Sequence, residues 1–578
     1  MRVSCLLPCA VVGAPPNIVF IVADDLGWND VGFRSHQIKT PNIDALAQDG
    51  VVLDSYYVQS VCSPSRATFM TGRYPLHHTV TDWLKPGRAN ALPLNETLLP
   101  QKLAEAGYEA HATGKWHLGY TQWEHTPTFR GFKSFLGFYG GGEDYFTHQA
   151  GAGFDMRNDP TEACGKGCSQ VAAERKGEYS THIFSQRAVD IVEHHDVSKP
   201  LFLYLAYQAV HAPAEVPASY RDAYNSTIDD PMRRTFAGML SCMDEGIGNV
   251  TKALRAKHML DNTVVVFTTD NGGPISTTSG GDYAGSNNYP LRGGKHTIWE
   301  GGTRGTAVAW AGANTGLLPT SLRGRATPQL MHGADWLPTF CALAGADCSG
   351  LPLDGVSQAG TLFANHTAVR SEVFYGQHDD SPEHQPTYDT AIRDGEGWKL
   401  LQNYGGLPQG WSVNTSLGWE CEAAPQCSPK PNTCCPDNDL VAGGVAASSE
   451  AECCDTCTNT TGCAGYTYQS SARRCYIKYT MVCQAGECSS GTMASSGAQL
   501  YNVKSDPEER NEVSAAHPDI VQRLTARVNA LRATKVIVPG GGEVPDPDCP
   551  QYKPAEHTDP RVGDIWEPWC EKSQVQLV

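Results

Sequence analysis

Long hydrophobic runs and an excess of basic residues are both missing from this 578-residue sequence. No run of 18 or more apolar residues occurs, and since a helix needs about 20 of them to cross a bilayer, we expect no membrane span. The sequence contains 44 Lys and Arg residues and 62 Asp and Glu residues, which gives a formal net charge of −18. A nucleic-acid partner would need a basic face, so we expect none. An anionic substrate would have to bind in a local basic pocket.

Histidine is missing from residues 421–488, where 11 of the 21 cysteines lie. The surrounding stretch has too few large apolar residues for a conventional core, so we expect disulfides to hold it together. Cys453, Cys454 and Cys457 have a spacing that a zinc site could use. The lack of histidine and the secretory features described next favour disulfides over zinc.

Cysteine use and glycosylation sequons indicate an oxidising compartment. Six N-x-[ST] sequons occur, at Asn95, Asn225, Asn249, Asn365, Asn414 and Asn459. Residues 1–14 predict a short signal sequence. We therefore expect passage through the secretory pathway and an extracellular or lysosomal location.

Apolar, β-branched runs alternate with helical patterns over the first 390 residues. The runs lie at 17–23, 201–207, 263–268 and 306–311. The helical patterns lie at 42–48, 98–106, 181–194 and 233–258. This alternation predicts an α/β fold with a mostly parallel sheet whose strands are buried on both faces. Ligands bind at the carboxyl ends of such strands, which is where the polar residues of this sequence cluster.

The character of the chain changes after residue 390. Residues 391–402 and 499–503 predict strands of a smaller antiparallel sheet, followed by a helix at 520–533. A tail from Val538 contains Cys549 and Cys570 as tethers. The predicted units are a signal sequence at 1–14, a catalytic domain at 15–390, a small-sheet subdomain at 391–429 and 499–578, and a disulfide-rich insertion at 430–498.

Cys62 begins a predicted helix, because Pro64 suits a first turn and Ala67–Met70 continue it. A helix N-terminus binds anions through its free N–H groups and its dipole. The alternative is a buried or disulfide-bonded structural cysteine.

Acidic residues follow two of the predicted strands. Asp24 and Asp25 end the first strand, and Asp270 and Asn271 follow the third. Turn chemistry alone would account for these residues, but adjacent carboxylates in a crevice repel each other unless a cation compensates. Three carboxylates and an amide oxygen suit Ca²⁺ or Mg²⁺.

Four basic side chains are further candidates, namely Lys115, His117, His211 and Lys295. A solitary lysine is usually solvated, and a solitary histidine is often hydrogen-bonded in a core. Each of these follows a strand or lies in a Gly-rich segment, as residues that line a site do.

The string CSPSRATFMTGRYP, which begins at Cys62, resembles the sulfatase signature. The resemblance continues through ADDLGWNDVGF, GFYGGGEDYFTH and LYNVKSDPEERNEVS, and looks closest to arylsulfatase B and its near relatives. It implies an alkaline-phosphatase-like fold and a formylglycine made from Cys62 by the formylglycine-generating enzyme. It also implies one calcium ion, bound by residue 62 together with Asp24, Asp25, Asp270 and Asn271.

The resemblance further implies a sulfated carbohydrate substrate, with N-acetylgalactosamine 4-sulfate as the leading candidate, and a role for each basic residue. A hydroxyl of hydrated formylglycine attacks sulfur, Arg66 holds the diol, and His117 removes a proton from the second hydroxyl. Lys115 and Lys295 neutralise charge on the transferring group, and Lys295 or His211 assists the departing alcohol.

The insertion resembles a PAN/apple module at Ala451–Tyr468 and Arg474–Lys478. That resemblance implies a glycan or protein ligand for the insertion, and the alternative is a tolerated surface insertion. Two other functions remain for the whole chain. They are a phosphate-monoester or phosphonate hydrolase of the same superfamily and a catalytically silent glycan-binding protein.

Overall fold

The computed structural model describes residues 14–275, 284–364, 366, 369–376, 390–402, 405, 412, 498–542, 545–550, 552–553 and 556–570, with three further strands of the insertion described as backbone. The helices are α1 Pro41–Asp49, α2 Cys62–Thr71, α3 Pro75–His78, α4 Leu99–Glu105, α5 Ser180–His194, α6 Ala218–Asp222, α7 Pro231–Ala256, α8 Glu300–Thr303, α9 Trp336–Ala344, α10 Ala359–Ala364 and α11 Pro518–Arg532.

The strands up to residue 332 are β1 Asn17–Ala23, β2 Val51–Leu53, β3 Tyr56–Tyr57, β4 Glu109–Lys115, β5 Ser134–Phe138, β6 Gln149–Ala150, β7 Gly153–Phe154, β8 Arg157–Asp159, β9 Gln170–Val171, β10 Leu201–Ala206, β11 Thr263–Thr269, β12 Ala307–Ala311, β13 Arg325–Thr327 and β14 Met331–His332. The later strands are β15 Glu372–Gly376, β16 Thr390–Asp394, β17 Trp398–Gln402, β18 Val445–Ala446, β19 Gly465–Gln469, β20 Arg474–Lys478, β21 Gln499–Asn502, β22 Thr558–Asp559 and β23 Gly563–Asp564.

A ten-stranded sheet forms the centre of the protein, in the order β13-β2-β12-β11-β1-β10-β4-β5-β8-β9. The five middle strands, from β11 to β5, run parallel to one another. On one side β12 pairs antiparallel with β11, and on the other β8 pairs antiparallel with β5. The carboxyl ends of the middle strands therefore lie together at one edge of the sheet, where an open α/β sheet binds its ligands.

Helices cover both faces of this sheet, which is why its middle strands are apolar throughout. In β1, Val19 and Ile21 pack on one side with residues of α5 and α7. Ile18 and Phe20 point to the other face and pack with residues of α2, α4 and α9. A strand with two buried faces has no polar side to present, and the continuous run NIVFIVA follows from that.

A smaller antiparallel sheet, in the order β15-β16-β17-β21, follows the central one. Helix α11 packs on one face, where Leu524 and Val528 contact Ile392 and Leu400. The other face packs against the large unit, through a cluster that includes Tyr375 and Trp299.

The predicted α/β fold with a mostly parallel sheet and a small antiparallel sheet is confirmed. Two details differ from the sequence analysis. The run at 306–311 forms the antiparallel strand β12, because burial on both faces sets composition and leaves strand direction open. Strand β15 also belongs to the small sheet, by pairing with β16, although it precedes residue 391.

Three disulfides are formed within the described ranges, and they join Cys164 to Cys168, Cys341 to Cys348, and Cys549 to Cys570. The last pair closes the tail on itself. Among described cysteines, Cys62 and Cys242 are free and buried. Residues 1–13 of the predicted signal sequence and the zinc alternative of the insertion lie outside the described residues, and so do the cysteines of the insertion except for the backbone of Cys475 in β20. In the ranges given above, no helix is long and apolar enough to cross a membrane.

Candidate active site

Four neighbouring parallel strands end at the candidate site. In sheet order, β11 leads to Asp270 and Asn271, β1 to Asp24 and Asp25, β10 to His211, and β4 to Lys115 and His117. These residues are far apart in sequence and come together because the strands are adjacent and parallel.

Helix α2 brings Cys62 and Arg66 to the same place. Cys62 is its first residue, and Arg66 lies one turn later on the same face. All ten residues of the helix are buried, so its N-terminal N–H groups and dipole act in a dry environment. Arg66 Nε donates a hydrogen bond to Asp270 Oδ2 at 2.9 Å, and its Nη1 donates to the Lys115 carbonyl at 3.2 Å.

Each buried carboxylate of the site has a basic partner. Lys115 Nζ donates to Asp24 Oδ2 at 2.6 Å, and Lys295 Nζ donates to Asp25 Oδ2 at 2.9 Å. Burial alone would raise the pKa of Asp24, but Lys115 and the other nearby cations hold it below its ordinary value. Burial and the charge of Asp24 raise the pKa of Asp270 to about 7, so ionising this carboxyl is costly even though Arg66 lies beside it.

Two oxygens of this cluster have no hydrogen-bond partner although they are buried. They are Oδ1 of Asp24 and Oδ1 of Asn271. Asn271 donates its Nδ2 to Asp25 Oδ1 at 2.7 Å, which leaves its own oxygen free. Ligand atoms of Asp24, Cys62 and Asp270 lie within 4.8 Å of one another. Orphaned buried oxygens are costly, and this donor set fits a hard divalent cation.

His117 is oriented by its two ring nitrogens. Nε2 lies 3.1 Å from the carbonyl oxygen of Leu84, which can only accept, so Nε2 carries the hydrogen. Nδ1 lies 3.2 Å from Cys62 Sγ. Burial, together with Lys115 and Arg66, keeps the pKa of His117 well below its ordinary value. The ring is therefore neutral, and its Nδ1 lone pair faces residue 62.

His211 and Lys295 lie on the Asp25 side of the site. His211 Nδ1 lies 2.6 Å from the Ala212 carbonyl, so this nitrogen donates, and Nε2 lies 3.6 Å from Asp25 Oδ2. Burial and the charge of Lys295 lower the pKa of His211. These two residues line a cavity of about 490 Å³ together with Cys62 and His117.

The Gly-rich loop after β5 closes over both histidines. A Cβ on Gly141 would lie 2.7 Å from His117 Cε1, and one on Gly142 would lie 3.4 Å from His211 Cε1. The backbone approaches the imidazoles so closely that a side chain at residue 141 would displace His117. Asp155 fixes the start of this loop by accepting hydrogen bonds from the N–H groups of Tyr139, at 3.0 Å, and Gly140, at 2.8 Å.

All ten predicted site residues therefore lie around one location. The sequence analysis missed the residues of the cavity wall, among them Trp83, Pro86 and the Gly141–Gly142 backbone. The run of three glycines at 140–142 was an available signal, because consecutive glycines permit a close backbone approach. Trp83 gave no such signal.

Comparison with known proteins gives a consistent result. Residues 16–346 match the model of the family described as Sulfatase. The chain is 33% identical to arylsulfatase J of Mus musculus over 567 residues, which cover 96% of this chain and 80% of that protein. It is 31% identical to N-acetylgalactosamine-6-sulfatase of Homo sapiens over 374 residues, covering 62% and 68% of the two chains. The crystal structure of Ps i-CgsB in complex with k-i-k-neocarrahexaose superposes with a TM-score of 0.64 at 26% identity, covering 90% of this chain and 94% of that one.

Proposed function

Because this chain belongs to the sulfatase family and is a sulfuric ester hydrolase with the alkaline-phosphatase-like fold, we propose that it removes sulfate from sulfated glycans through a formylglycine made from Cys62. N-acetylgalactosamine 4-sulfate is the leading candidate substrate. The observation that carries the proposal is the position of Cys62, which begins a buried helix beside the His117 lone pair and three pairs of carboxylate and cation.

Cys62 itself would be a poor nucleophile at this position. Burial raises the pKa of its thiol to about 11, although Lys115 and Lys295 are near. The reactive form of a cysteine is the thiolate, and it would be scarce at neutral pH. Oxidation by the formylglycine-generating enzyme would replace the thiol with an aldehyde, whose hydrate supplies the attacking hydroxyl.

A calcium ion is the cofactor we propose for the carboxylate cluster. Asp24, Asp25, Asp270, Asn271 and residue 62 would hold it. When bound, the ion would lower the pKa of the attacking hydroxyl and polarise the sulfate oxygens. The orphaned oxygens of Asp24 and Asn271 support this assignment.

Two lysine side chains would then stabilise the transferred group. Lys115 and Lys295 each present an ammonium group beside residue 62, where the sulfate oxygens must lie, and both are buried. Electrostatic stabilisation is strong in such a water-excluded site, because the donors need no reorganisation. Arg66 remains bound to Asp270 and would fix the side chain at residue 62 from within the helix.

The two histidines would handle protons on different sides of the reaction. The His117 Nδ1 lone pair faces residue 62 and is placed to accept a proton from its second hydroxyl when sulfate leaves. On the Asp25 side, Lys295, or His211 when it is protonated at Nε2, would donate a proton to the departing alcohol, because the Nδ1 hydrogen of His211 is bound to the Ala212 carbonyl. A serine at residue 62 would have no second hydroxyl and would trap the sulfated enzyme.

The relatives and the cavity support a carbohydrate substrate. One relative is named for N-acetylgalactosamine 6-sulfate, and a cavity of about 490 Å³ falls within the usual range of roughly 300–1,000 Å³ for a small-molecule site. We further propose the domain division predicted from the sequence, with strand β15 added to the small-sheet subdomain. We also propose an extracellular or lysosomal location, which the three disulfides support.

Peptide mass spectrometry at residue 62 tests the central step. The protein is secreted from a host that modifies a control sulfatase, and the tryptic peptide Thr40–Arg66 is analysed. We expect an aldehyde at residue 62 and turnover of 4-sulfated N-acetylgalactosamine glycosides. Cys62→Ala is the inactive control. A thiol at residue 62 in a folded, secreted protein would withdraw the proposal in favour of a glycan-binding protein.

Turnover of a phosphate ester and a sulfate ester of the same alcohol distinguishes a sulfatase from a phosphate-monoester or phosphonate hydrolase. A sulfatase should hydrolyse the sulfate ester with the larger kcat/KM. A larger value for the phosphate or phosphonate ester would instead support the other hydrolase class.

A further inference from the structure

Trp83 lies at the wall of the catalytic cavity and is unusually exposed for its size. The residue is 38% accessible, whereas its neighbour Leu84 is 5% accessible. The indole and Pro86 line the same cavity as Cys62 and Lys295. A large apolar surface left open inside a catalytic cavity is typical of a ligand contact.

The segment that carries Trp83 is tied directly to the catalytic residues. Leu84 N–H donates to the hydroxyl of Ser63 at 3.1 Å, and Ser63 is next to Cys62 in α2. The Leu84 carbonyl accepts from His117 Nε2 at 3.1 Å. Trp83 N–H donates to Asp82 Oδ1 at 2.8 Å. The backbone that carries the indole is therefore held at a fixed position relative to residue 62 and to His117.

We propose that Trp83 determines substrate specificity by packing its indole face against the pyranose ring of the sulfated sugar. This inference deepens the proposed function and rests on it. The C–H bonds on one face of a pyranose carry partial positive charge, and the face of an aromatic ring carries partial negative charge. Tryptophan offers the largest such surface among side chains, with only two rotatable bonds to immobilise.

Charged side chains of both signs lie near the indole. Lys85 Nζ lies over the Trp83 ring, 5.7 Å from its centroid, and Glu143 and Asp144 line the same cavity. Sulfate on the ring would bind at Lys115 and Lys295 in the depth of the site, while the sugar face would contact Trp83 nearer the opening. A compact inorganic anion would occupy only the deep part.

Binding to the full-length Cys62→Ala protein tests the inference without turnover. Dissociation constants are measured by calorimetry for a panel of 4-O- and 6-O-sulfated N-acetylgalactosamine glycosides, in C62A alone and combined with Trp83→Ala or Trp83→Phe. Inorganic sulfate serves as the ligand that does not reach the indole. Trp310→Ala is the matched control, because this partly buried tryptophan lies in β12, away from the carboxyl ends of the parallel strands.

We expect Trp83→Ala to raise the dissociation constants of bound glycosides about three- to ten-fold, the equivalent of one aromatic packing contact. Trp83→Phe should restore most of the affinity, and inorganic sulfate should bind equally well in every variant. Trp310→Ala should change neither ligand.

Three results would overturn the inference. The first is that C62A binds no glycoside, and the second is that glycosides bind equally well with and without Trp83. The third is that Trp83→Ala weakens inorganic sulfate binding as much as glycoside binding. That result would mean that Trp83 acts only through the Leu84–His117 contact. Turnover by the unsubstituted enzyme is scored separately. If the enzyme shows no turnover but binds glycosides in a Trp83-dependent way, the proposed catalysis is refuted. The inference that Trp83 contacts the sugar is then still supported.

Discussion

The Nδ1 atom of His117 lies 3.2 Å from Sγ of Cys62, and its Nε2 is occupied by the Leu84 carbonyl at 3.1 Å. The second contact fixes the tautomer, so the first presents a lone pair to residue 62, the proposed nucleophile. Replacing His117 by Gln should lower kcat about 100- to 10,000-fold, the usual contribution of a general base. KM should change much less, because Lys115 and Lys295 remain. Steady-state kinetics on a sulfated glycoside measure both values, and an unchanged kcat would remove His117 from the mechanism.

Gly141 and Gly142 offer a matched pair of substitutions. An alanine Cβ at residue 141 would lie 2.7 Å from the His117 ring, whereas one at residue 142 would keep an ordinary contact of 3.4 Å with the His211 ring. Gly141→Ala should therefore displace His117 and lower kcat about 100-fold, since a misplacement near 1 Å has that effect. Gly142→Ala should keep most of the activity. Similar kcat values for the two variants would show that the loop adjusts freely.

Calcium should stabilise the folded enzyme as well as support its activity. Chelation should lower both activity and the melting temperature, and added calcium should restore both, because a ligand that binds only the native state shifts the unfolding equilibrium. Asn271→Ala removes one orphaned oxygen and should require more calcium for the same melting temperature. Magnesium is the comparison ion. An enzyme that keeps full activity and stability after exhaustive chelation has no such site.

A buried charge cluster joins the small sheet to the catalytic unit. Lys399 Nζ in β17 lies 3.1 Å from Glu300 Oε1 and 2.7 Å from Glu509 Oε1, and all three side chains are fully buried. Lys399→Met keeps the volume but removes the buried cation that both carboxylates share, and Glu300 then keeps the longer contact of 3.8 Å with Arg304. The substitution should lower the free energy of unfolding by about 3–5 kcal/mol.

Urea denaturation measures the effect of Lys399→Met. Lys553→Met removes an exposed pair with Glu556 and should change the free energy of unfolding by less than about 1 kcal/mol. Equal effects of the two substitutions would mean that the buried cluster contributes no more than a surface pair.

Asp155 should make stability depend on pH. Burial raises its pKa from 3.8 to about 6, although N–H groups of Tyr139 and Gly140 oppose this. At pH values between these two pKa values, the folded protein retains a proton on Asp155 that the unfolded chain releases. The free energy of unfolding that this proton contributes is therefore lost as the pH rises from about 4 to about 6. The total loss in the free energy of unfolding is at most about 3 kcal/mol.

Asp155→Asn cannot ionise and should flatten that part of the stability profile. Urea midpoints at several pH values compare the two proteins. A variant that loses stability over the same pH window as the unsubstituted protein would assign the dependence to another group.

The sequence by itself determined the main elements and which residues are candidates for the site. The run NIVFIVA became β1 with the predicted bounds, because a continuous apolar, β-branched stretch of that length fits only a strand with two covered faces. Asp24 and Asp25 at its end, and the signature at Cys62, predicted candidate site residues, because adjacent carboxylates at a strand end repel each other unless a cation compensates.

Only the tertiary structure decided how those residues face one another. The pairing of β12 antiparallel to β11 depends on hydrogen bonds between distant segments, and composition does not encode strand direction. The tautomer of His117 depends on a carbonyl 33 residues away in the chain. Trp83 became a candidate sugar contact only when its exposure inside the cavity was known, because exposure is a property of the packed chain and leaves no local pattern in the sequence.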